Sequence, residues 1–452
     1  MGVLDNLPQP ELMAIGDSIY NGVRSLSINN ELSQLSAPSL VAEGLGIRPR
    51  FACPDYGRPM LIDFEKYVHM LPDVGGIKAD ILDNFRYWLP APPPRSGLPV
   101  FDNLSIASTV YRDLIERTAG KAEAELRAMN AGQIDDADGV IAQLADLYFA
   151  LNTRFVLNPR GLDELMDKTA VEVAAIRKPK VLLVNIGSND GLYSMAFDAR
   201  ADVRYANARP ALQDLVDALA GLPAEIEIYF NGLVLPSTVS NLMPVDYYAT
   251  NNRPPAGGYY AEYENAFSTG SYGTIDAAQM AALDRDVAEH NAFTVDYIAS
   301  KNQARFHFVD VAAVLQRLNA KHEPDTPSNG LRMADRKRFT NTILEAAPFP
   351  FPAFRSGGLQ SLDGMHLSTL GYGVLAQSVL DAMGSGRRLN LEGVYQRDTL
   401  LQQMPRIWSV VLWLWLDIRR ARLLDQADPA AAGHEEAAVA DLMDAAARFK
   451  IG

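Results

Sequence analysis

Residues 13–22 of this 452-residue chain read MAIGDSIYNG. The apolar and small residues up to Ile15 indicate the end of a short buried strand, and Gly16 and Asp17 end that strand. Ser18 therefore stands where a strand meets a glycine turn. Open α/β sheets place their chemistry at the carboxyl ends of their strands, so the Ser18 hydroxyl is a candidate nucleophile. Because the G-x-S-x-G elbow of α/β-hydrolases is absent and Gly-Asp-Ser also suits an ordinary turn, other segments must support this role.

The composition is typical of a soluble globular protein, with 48% hydrophobic and 21% charged residues. The net charge of −14 argues against a nucleic-acid-binding surface and against binding to anionic lipid by charge. The single cysteine, Cys53, excludes an intramolecular disulfide and any metal site built from several cysteines.

The start of the chain lacks the pattern of a secretory signal. Residues 1–11 carry acids and prolines, where a signal would carry a basic start followed by an apolar run. We therefore expect a cytoplasmic protein. A secreted or periplasmic protein whose leader had been removed would read in the same way.

Predicted strands alternate with predicted helices along most of the chain. The strands are expected at 12–15, 100–109, 181–186, 225–232 and 305–311. The helices are expected at 37–47, 110–175, 210–222, 277–301 and 370–383. This alternation indicates βαβ units and a parallel sheet.

Three stretches show little periodicity. Residues 48–99 are rich in proline and glycine, which predicts loop-dominated surface. Residues 236–274 and 321–361 also read as irregular. Long irregular stretches in a compact domain usually have a function, so lids or binding loops are expected there.

After Gly384 the chain reads as all-helical and separate. Its most apolar run, 407–416, holds three of the four tryptophans, Trp408, Trp413 and Trp415. The run is too short to span a bilayer, so no transmembrane segment is expected. A buried packing helix is the favoured interpretation, and an oligomer contact or a peripheral surface facing membrane or an acyl chain is the alternative.

Asp363 and His366 lie three residues apart across a glycine turn. This spacing can place the carboxylate against Nδ1 of the imidazole, which leaves Nε2 free as a base. Ser368 or Thr369 could cap the helix that follows and hold His366 at its mouth. Viewed alone, Asp-x-x-His also fits an exposed turn histidine.

Two more segments follow predicted strands. Asn189, in the run GSND at 187–190, could donate from its amide to a developing oxyanion. Residues 103–109 end in small residues whose backbone N–H groups could aim at the same oxyanion. An ordinary turn and a plain strand end are the alternatives for these segments.

Taken together, three blocks in this order resemble the SGNH hydrolases, also called the GDSL family. The blocks are GDSI at 16–19, GSND at 187–190 and DGMH at 363–366. The resemblance spans about residues 12–383. It implies a three-layer α/β/α sandwich with a parallel, flavodoxin-like sheet. The expected domain covers 10–385, with insertions at about 48–99, 111–175, 236–275 and 320–360, and a C-terminal helical extension covers 386–452.

The resemblance also implies roles for particular residues. Ser18 would be the nucleophile, His366 the general base and Asp363 its orienting acid. Asn189 and the backbone N–H of Ser18 would be oxyanion donors. The family usually has glycine where this chain has Ser108; a backbone N–H survives that change, so Ser108 is the expected third donor. Gly57 is a weaker substitute.

The function implied is a serine-dependent carboxylic ester hydrolase that works through an acyl-enzyme and needs no metal or organic cofactor. Its substrate would be a small-molecule acyl ester. The tyrosine-rich stretch 247–272, the Phe-Pro segment 349–354 and the tryptophan-rich run favour lipid or other acyl esters. Carbohydrate O-acetyl esterase, thioesterase and acyltransferase are the alternatives within this chemistry. A catalytically impaired SGNH-fold binding module is the alternative from another class.

Overall fold

The computed structural model describes residues 2–70, 74–91, 97–245, 258–265, 273–321, 330–343, 345–346, 354–402 and 433. The strands are β1 (Leu12–Gly16), β2 (Val181–Asn185), β3 (Glu227–Asn231), β4 (Leu242–Pro244), β5 (Glu262–Asn265), β6 (Ile275–Asp276), β7 (Phe306–Val309), β8 (Leu331–Arg332), β9 (Arg338–Ile343), β10 (Glu345–Ala346), β11 (Phe354–Ser356) and β12 (Gly358–Gln360).

The helices before β2 are α1 (Ser18–Asn21), α2 (Asn30–Gln34), α3 (Ala37–Gly44), α4 (Phe64–Met70), α5 (Val74–Trp88), α6 (Asp113–Glu116), α7 (Ala119–Ala128), α8 (Ala137–Ala142), α9 (Leu144–Leu157), α10 (Asp163–Met166) and α11 (Ala170–Arg177). Those after β2 are α12 (Leu192–Ala196), α13 (Arg209–Ala220), α14 (Ala277–Ser300), α15 (Val311–Arg317), α16 (Thr369–Ala382), α17 (Leu391–Arg397) and α18 (Thr399–Gln402).

The main sheet is parallel, with strand order β1-β2-β3-β7. Along its outer edge, residues 102–106 run parallel to β1: Ala14 N–H donates to the Asp102 carbonyl at 2.8 Å, and Leu104 N–H donates to the Ala14 carbonyl at 2.8 Å. Counting this segment as the second strand of the chain, the spatial order is 2-1-3-4-5, the order of flavodoxin-like sheets. The predicted parallel, flavodoxin-like sheet is confirmed.

Both faces of the main sheet are covered by helices. Successive side chains of β1 point to opposite faces. Leu12 and Ala14 pack in a core with α3 and α16, whereas Met13 and Ile15 pack in a core with α11, α13 and α14. All five residues of β1 are buried, which explains why the strand reads as a continuous apolar run. The result is the expected three-layer α/β/α sandwich.

The prediction that residues 48–99 are mainly loop is wrong. Helices α4 and α5 lie in this stretch, and α5 buries Ile81, Phe85 and Trp88 in the core. These residues follow a helical spacing on one face. The prolines and glycines that suggested a loop lie outside α5 or in its first turn, so the overall composition concealed the periodicity.

The two other irregular stretches contain short strands. Strands β4, β5 and β6 form a small antiparallel sheet, and β9 pairs with β8 and with β12. Of the strand predicted at 100–109, residues 102–106 run along β1 through the hydrogen bonds given above and form one parallel β-bridge with it, between Ala14 and Asn103. Much of the tyrosine-rich stretch and most of the Phe-Pro segment lie outside the described residues.

The beginning of the predicted C-terminal extension packs against the main domain. Helix α17 lies on α16, and Val394 of α17 is fully buried. The Trp408–Trp415 run lies outside the described residues, so its predicted helix stays a prediction, as do the domain and insertion boundaries. In the described part of the chain, no helix combines the length and the apolar character needed to cross a membrane.

Candidate active site

Ser18 is the first residue of α1, directly after β1. The turn before it is tight: a Cβ on Gly16 would collide with the backbone carbonyl of Asn185 on the neighbouring strand, so only glycine fits. Asp17 caps α1, because its Oδ1 accepts a hydrogen bond from Ile19 N–H at 3.1 Å. The Ser18 side chain is thereby held at the carboxyl edge of the main sheet.

A chain of two hydrogen bonds joins Ser18 to His366 and Asp363. Ser18 Oγ lies 2.9 Å from His366 Nε2, and His366 Nδ1 lies 2.7 Å from Asp363 Oδ2. With the proton on Nδ1 donated to the carboxylate, Nε2 can accept the hydrogen bond of the serine hydroxyl. The structure therefore brings together three residues that are separated by up to 348 positions in the chain.

The Asp363–His366 turn is fixed by its own backbone. Asp363 Oδ1 accepts hydrogen bonds from Met365 N–H at 2.9 Å and from His366 N–H at 2.8 Å. Gly364 between them has φ +67°, a left-handed conformation that glycine adopts without steric cost. The Asp-x-x-His spacing thus brings the carboxylate close to Nδ1 within a single four-residue turn.

The helix that follows His366 is capped as the sequence predicts. Ser368 Oγ accepts a hydrogen bond from Gly371 N–H at 3.1 Å, which makes Ser368 the cap of α16. The same hydroxyl donates to the Gly358 carbonyl at 2.7 Å and ties the turn to β12. His366 therefore sits between two anchored elements.

Asp363 and His366 shift the pKa values of each other. Burial alone would raise the pKa of Asp363, but the charge of His366 and the N–H donors around the carboxylate hold it well below 3.8. Burial alone would lower the pKa of His366, but the charge and hydrogen bond of Asp363 raise it above 6.5, with a smaller contribution from Asp17. The pair thus combines a carboxylate with an imidazole of increased basicity, as a general base requires.

Beneath Ser18 lies a network of buried polar side chains that the sequence motifs did not predict. Asn185 Nδ2 donates to Asp17 Oδ1 at 3.0 Å, and Asn231 Nδ2 donates to Asn185 Oδ1 at 3.0 Å and to the Tyr20 hydroxyl at 2.9 Å. Burial raises the pKa of Asp17 to about 6, against the hydrogen bonds from Ile19 N–H and Asn185. Asn185 and Asn231 are the last residues of β2 and β3, and each follows a run of buried residues. A polar residue in that position was the signal in the sequence.

The candidate oxyanion donors line the same cavity as Ser18. Asn189 Nδ2 donates one hydrogen to the Thr109 carbonyl at 2.9 Å, which orients the amide and leaves its second hydrogen for a ligand. Ser108 has φ +67°, the left-handed conformation that favours glycine, so the turn keeps its shape although the side chain differs. Gly57 is not part of the site, because it packs against Tyr87 and does not line the cavity.

A cavity of about 830 Å³ opens beside Ser18 and His366. Its lining includes several polar residues, of which we call Ser18, Ser108, Asn189 and His366 the polar group; these four lie in the turns that follow strands. Its aliphatic group includes Leu26, Ile62, Ile141 and Leu144, from the turn after α1 and from the predicted insertions at 48–99 and 111–175. Among the described residues that line the cavity there is no lysine or arginine. Within the described ranges, no cluster of three or more His, Cys, Asp or Glu residues could hold a metal ion.

Comparison with known proteins gives one finding that covers most of the chain. The model of the family described as GDSL-like Lipase/Acylhydrolase matches residues 12–379. No curated protein and no solved structure matches the chain. The matched span begins with β1 and ends within α16, so it includes every residue of the hydrogen-bond chain from Ser18 to Asp363.

Proposed function

Because the chain belongs to the GDSL-like lipase and acylhydrolase family, a family of ester hydrolases, we propose that it is a serine-dependent carboxylic ester hydrolase. The observation that supports the proposal most strongly is the hydrogen-bond chain from Ser18 through His366 to Asp363, at 2.9 and 2.7 Å. These distances are those of a nucleophile, a base and an orienting acid that act together.

In the proposed mechanism, Ser18 Oγ attacks the ester carbonyl while His366 Nε2 takes the hydroxyl proton. His366 then gives this proton to the leaving alcohol, and an acyl-enzyme remains on Ser18. A water molecule activated by His366 attacks the acyl-enzyme and releases the acid. Asp363 stays ionised throughout and stabilises the imidazolium, in keeping with its lowered pKa.

The oxyanion formed in both steps would accept hydrogen bonds from three donors. These are the backbone N–H groups of Ser18 and Ser108 and the free hydrogen on Nδ2 of Asn189. Each preorganised donor of this kind contributes about 3 kcal/mol to stabilising the transition state. The hydrogen bond from Asn189 to the Thr109 carbonyl supports this assignment, because it orients the amide before a substrate binds.

The cavity favours a substrate with an apolar, uncharged acyl chain. Its volume of about 830 Å³ is far larger than an acetyl group needs and falls in the range of sites for drug-sized ligands. Aliphatic side chains make up much of its lining. A thioester that carries phosphate groups would meet no lysine or arginine among the described lining residues.

Two of the tyrosines in the stretch 247–272 do not support a carbohydrate substrate. Tyr260 and Tyr263 are 4% and 2% exposed and pack in the core, so these two side chains offer no face on which a sugar could stack. We therefore propose lipid or other acyl esters as the substrate. The cavity favours this activity over those of a carbohydrate O-acetyl esterase, a thioesterase or an acyltransferase.

A panel of p-nitrophenyl esters from acetyl to palmitoyl tests the proposal. We expect turnover that rises from acetyl to medium chains and that disappears in Ser18→Ala, because the nucleophile is lost. Ser300→Ala is the matched control, since Ser300 is an exposed serine at the end of α14. Turnover that persists in Ser18→Ala would overturn the proposal.

A further inference from the structure

Residues 24–27 form a tight reverse turn in an unusual conformation. Arg24 and Ser27 exchange two backbone hydrogen bonds, both of 2.9 Å. The two central residues, Ser25 and Leu26, have φ +52° and φ +58°. Turns with two successive positive φ values are usually made of asparagine and glycine, because side chains are crowded there. Since neither residue is of that kind, surrounding contacts must impose the turn.

The turn aims two backbone N–H groups at the Asp363 side of the site. Leu26 N–H donates to Asp363 Oδ2 at 2.8 Å, and this is the oxygen that accepts from His366 Nδ1. Ser25 N–H donates to Ser361 Oγ at 2.9 Å, and that hydroxyl in turn donates to Asp363 Oδ1 at 3.2 Å. Both carboxylate oxygens are thus connected to the turn.

Arg24, at the start of the turn, is locked by buried partners. It is 1% exposed, and its Nε and Nη2 donate to both oxygens of Glu65 at 2.8 and 2.7 Å. Its Nη1 donates to Thr369 Oγ1 at 2.6 Å and to Asp398 Oδ1 at 3.2 Å. Ser25 Oγ also donates to Glu65, at 2.8 Å. The turn is therefore held by residues of α4, α16 and the connection between α17 and α18.

We propose that the N–H group of Leu26 is a positioning group for Asp363. A carboxylate can rotate about its Cβ–Cγ bond, and a donor fixed by the backbone restricts that rotation. With Oδ2 held by Leu26 N–H, this oxygen faces His366 and keeps the imidazole aligned with Ser18. Leu26 has no contact with the reacting atoms through this N–H group, so it acts through Asp363. The inference rests on the proposed hydrolase function.

Replacing Leu26 by leucic acid, its α-hydroxy analogue, tests the proposal. This change keeps the side chain and substitutes an ester oxygen for the N–H group. For a p-nitrophenyl acetate substrate we expect kcat to fall on the order of tenfold with KM unchanged, as for the loss of one hydrogen bond to a charged group. The low-field proton resonance of His366 Nδ1–H should move as well.

The matched control is leucic acid at Leu32. The N–H of Leu32 also donates to a side-chain oxygen, Asn29 Oδ1, at 3.0 Å, but it does not touch Asp363. The control should leave kcat and the His366 resonance unchanged. An equal fall in kcat at both positions, or no change at Leu26, would overturn the inference.

A second variant uses an ordinary substitution. Ser361→Ala removes the acceptor of Ser25 N–H and a donor to Asp363, so kcat should fall several-fold and the His366 resonance should move while the protein stays folded. The resonance reports on Asp363 whether or not the protein hydrolyses esters. Absence of Ser18-dependent turnover in the unaltered chain would refute the proposed function, whereas an unchanged resonance in both variants would refute this inference alone.

Discussion

The polar group and the aliphatic group of cavity residues are built in different ways. In the polar group, Asn189 and His366 are oriented by hydrogen bonds, to Thr109 and to Asp363. In the aliphatic group, Ile141 and Leu26 are 40% and 44% exposed. The first group depends on hydrogen bonds of 2.9 and 2.7 Å, whose geometry tolerates few changes of side chain. The second depends on apolar area, which many side chains supply. We infer that the polar group provides the chemistry and that the aliphatic group provides the preference for a substrate.

The largest effect is expected in the polar group, from Asp363→Asn. The amide cannot take the charge of the carboxylate and can leave His366 in the wrong tautomer, so turnover should fall by about 10³–10⁴-fold. Steady-state kinetics on a short ester would measure it. A fall of less than tenfold would show that Asp363 does not orient His366.

The pH dependence should follow His366. Its neutral form is the base, so turnover should be lost as the pH falls through the pKa of His366. The charge of Asp363 raises that pKa above 6.5 against the effect of burial, with help from Asp17, so the acid limb of kcat/KM should have its midpoint above pH 6.5. A midpoint below 6.5, or a flat profile between about pH 5 and 8, would contradict this assignment.

A smaller and selective effect is expected in the aliphatic group, from Ile141→Asp. A carboxylate there should oppose binding of a long acyl chain, so kcat/KM for a decanoyl ester should fall about tenfold while that for an acetyl ester changes little. Ile176→Asp is the matched control, because Ile176 is 39% exposed, against 40% for Ile141, and does not line the cavity. Equal losses on both esters would mean that Ile141 does not contact the chain.

The smallest effect is expected for Ser108→Gly. Glycine relieves the strain of φ +67° but adds freedom to the unfolded chain, so the free energy of unfolding should rise by about 1 kcal/mol or less. Denaturant titration of both proteins would measure it. A clear decrease would show that the Ser108 side chain itself stabilises the turn.

Local patterns were enough to predict part of the site. The apolar runs at 12–15 and 181–186 predicted β1 and β2, because strands buried on both faces leave no polar alternation. The Asp-x-x-His spacing predicted a contact between the carboxylate and Nδ1, because the turn that makes it involves only four residues.

Other parts of the site depend on contacts that no local pattern records. Leu26 and Arg24 have partners more than 330 positions away, at Asp363, Thr369 and Asp398. The cavity residues Ile62 and Ile141 come from segments whose place beside the sheet depends on tertiary packing. Asn185 and Asn231, the last residues of β2 and β3, are polar residues at the ends of buried strands. They belong to none of the three sequence blocks, so the resemblance did not indicate them.

Labelling with a fluorophosphonate probe tests the central claim, that Ser18 is a nucleophile activated by His366. The probe forms a covalent bond with an activated serine, and mass spectrometry of the digested protein locates the adduct. We predict one adduct, on Ser18, formed in the unaltered protein and strongly slowed in Asp363→Asn. No adduct under conditions that label a known serine hydrolase, or an adduct on another serine, would contradict the account.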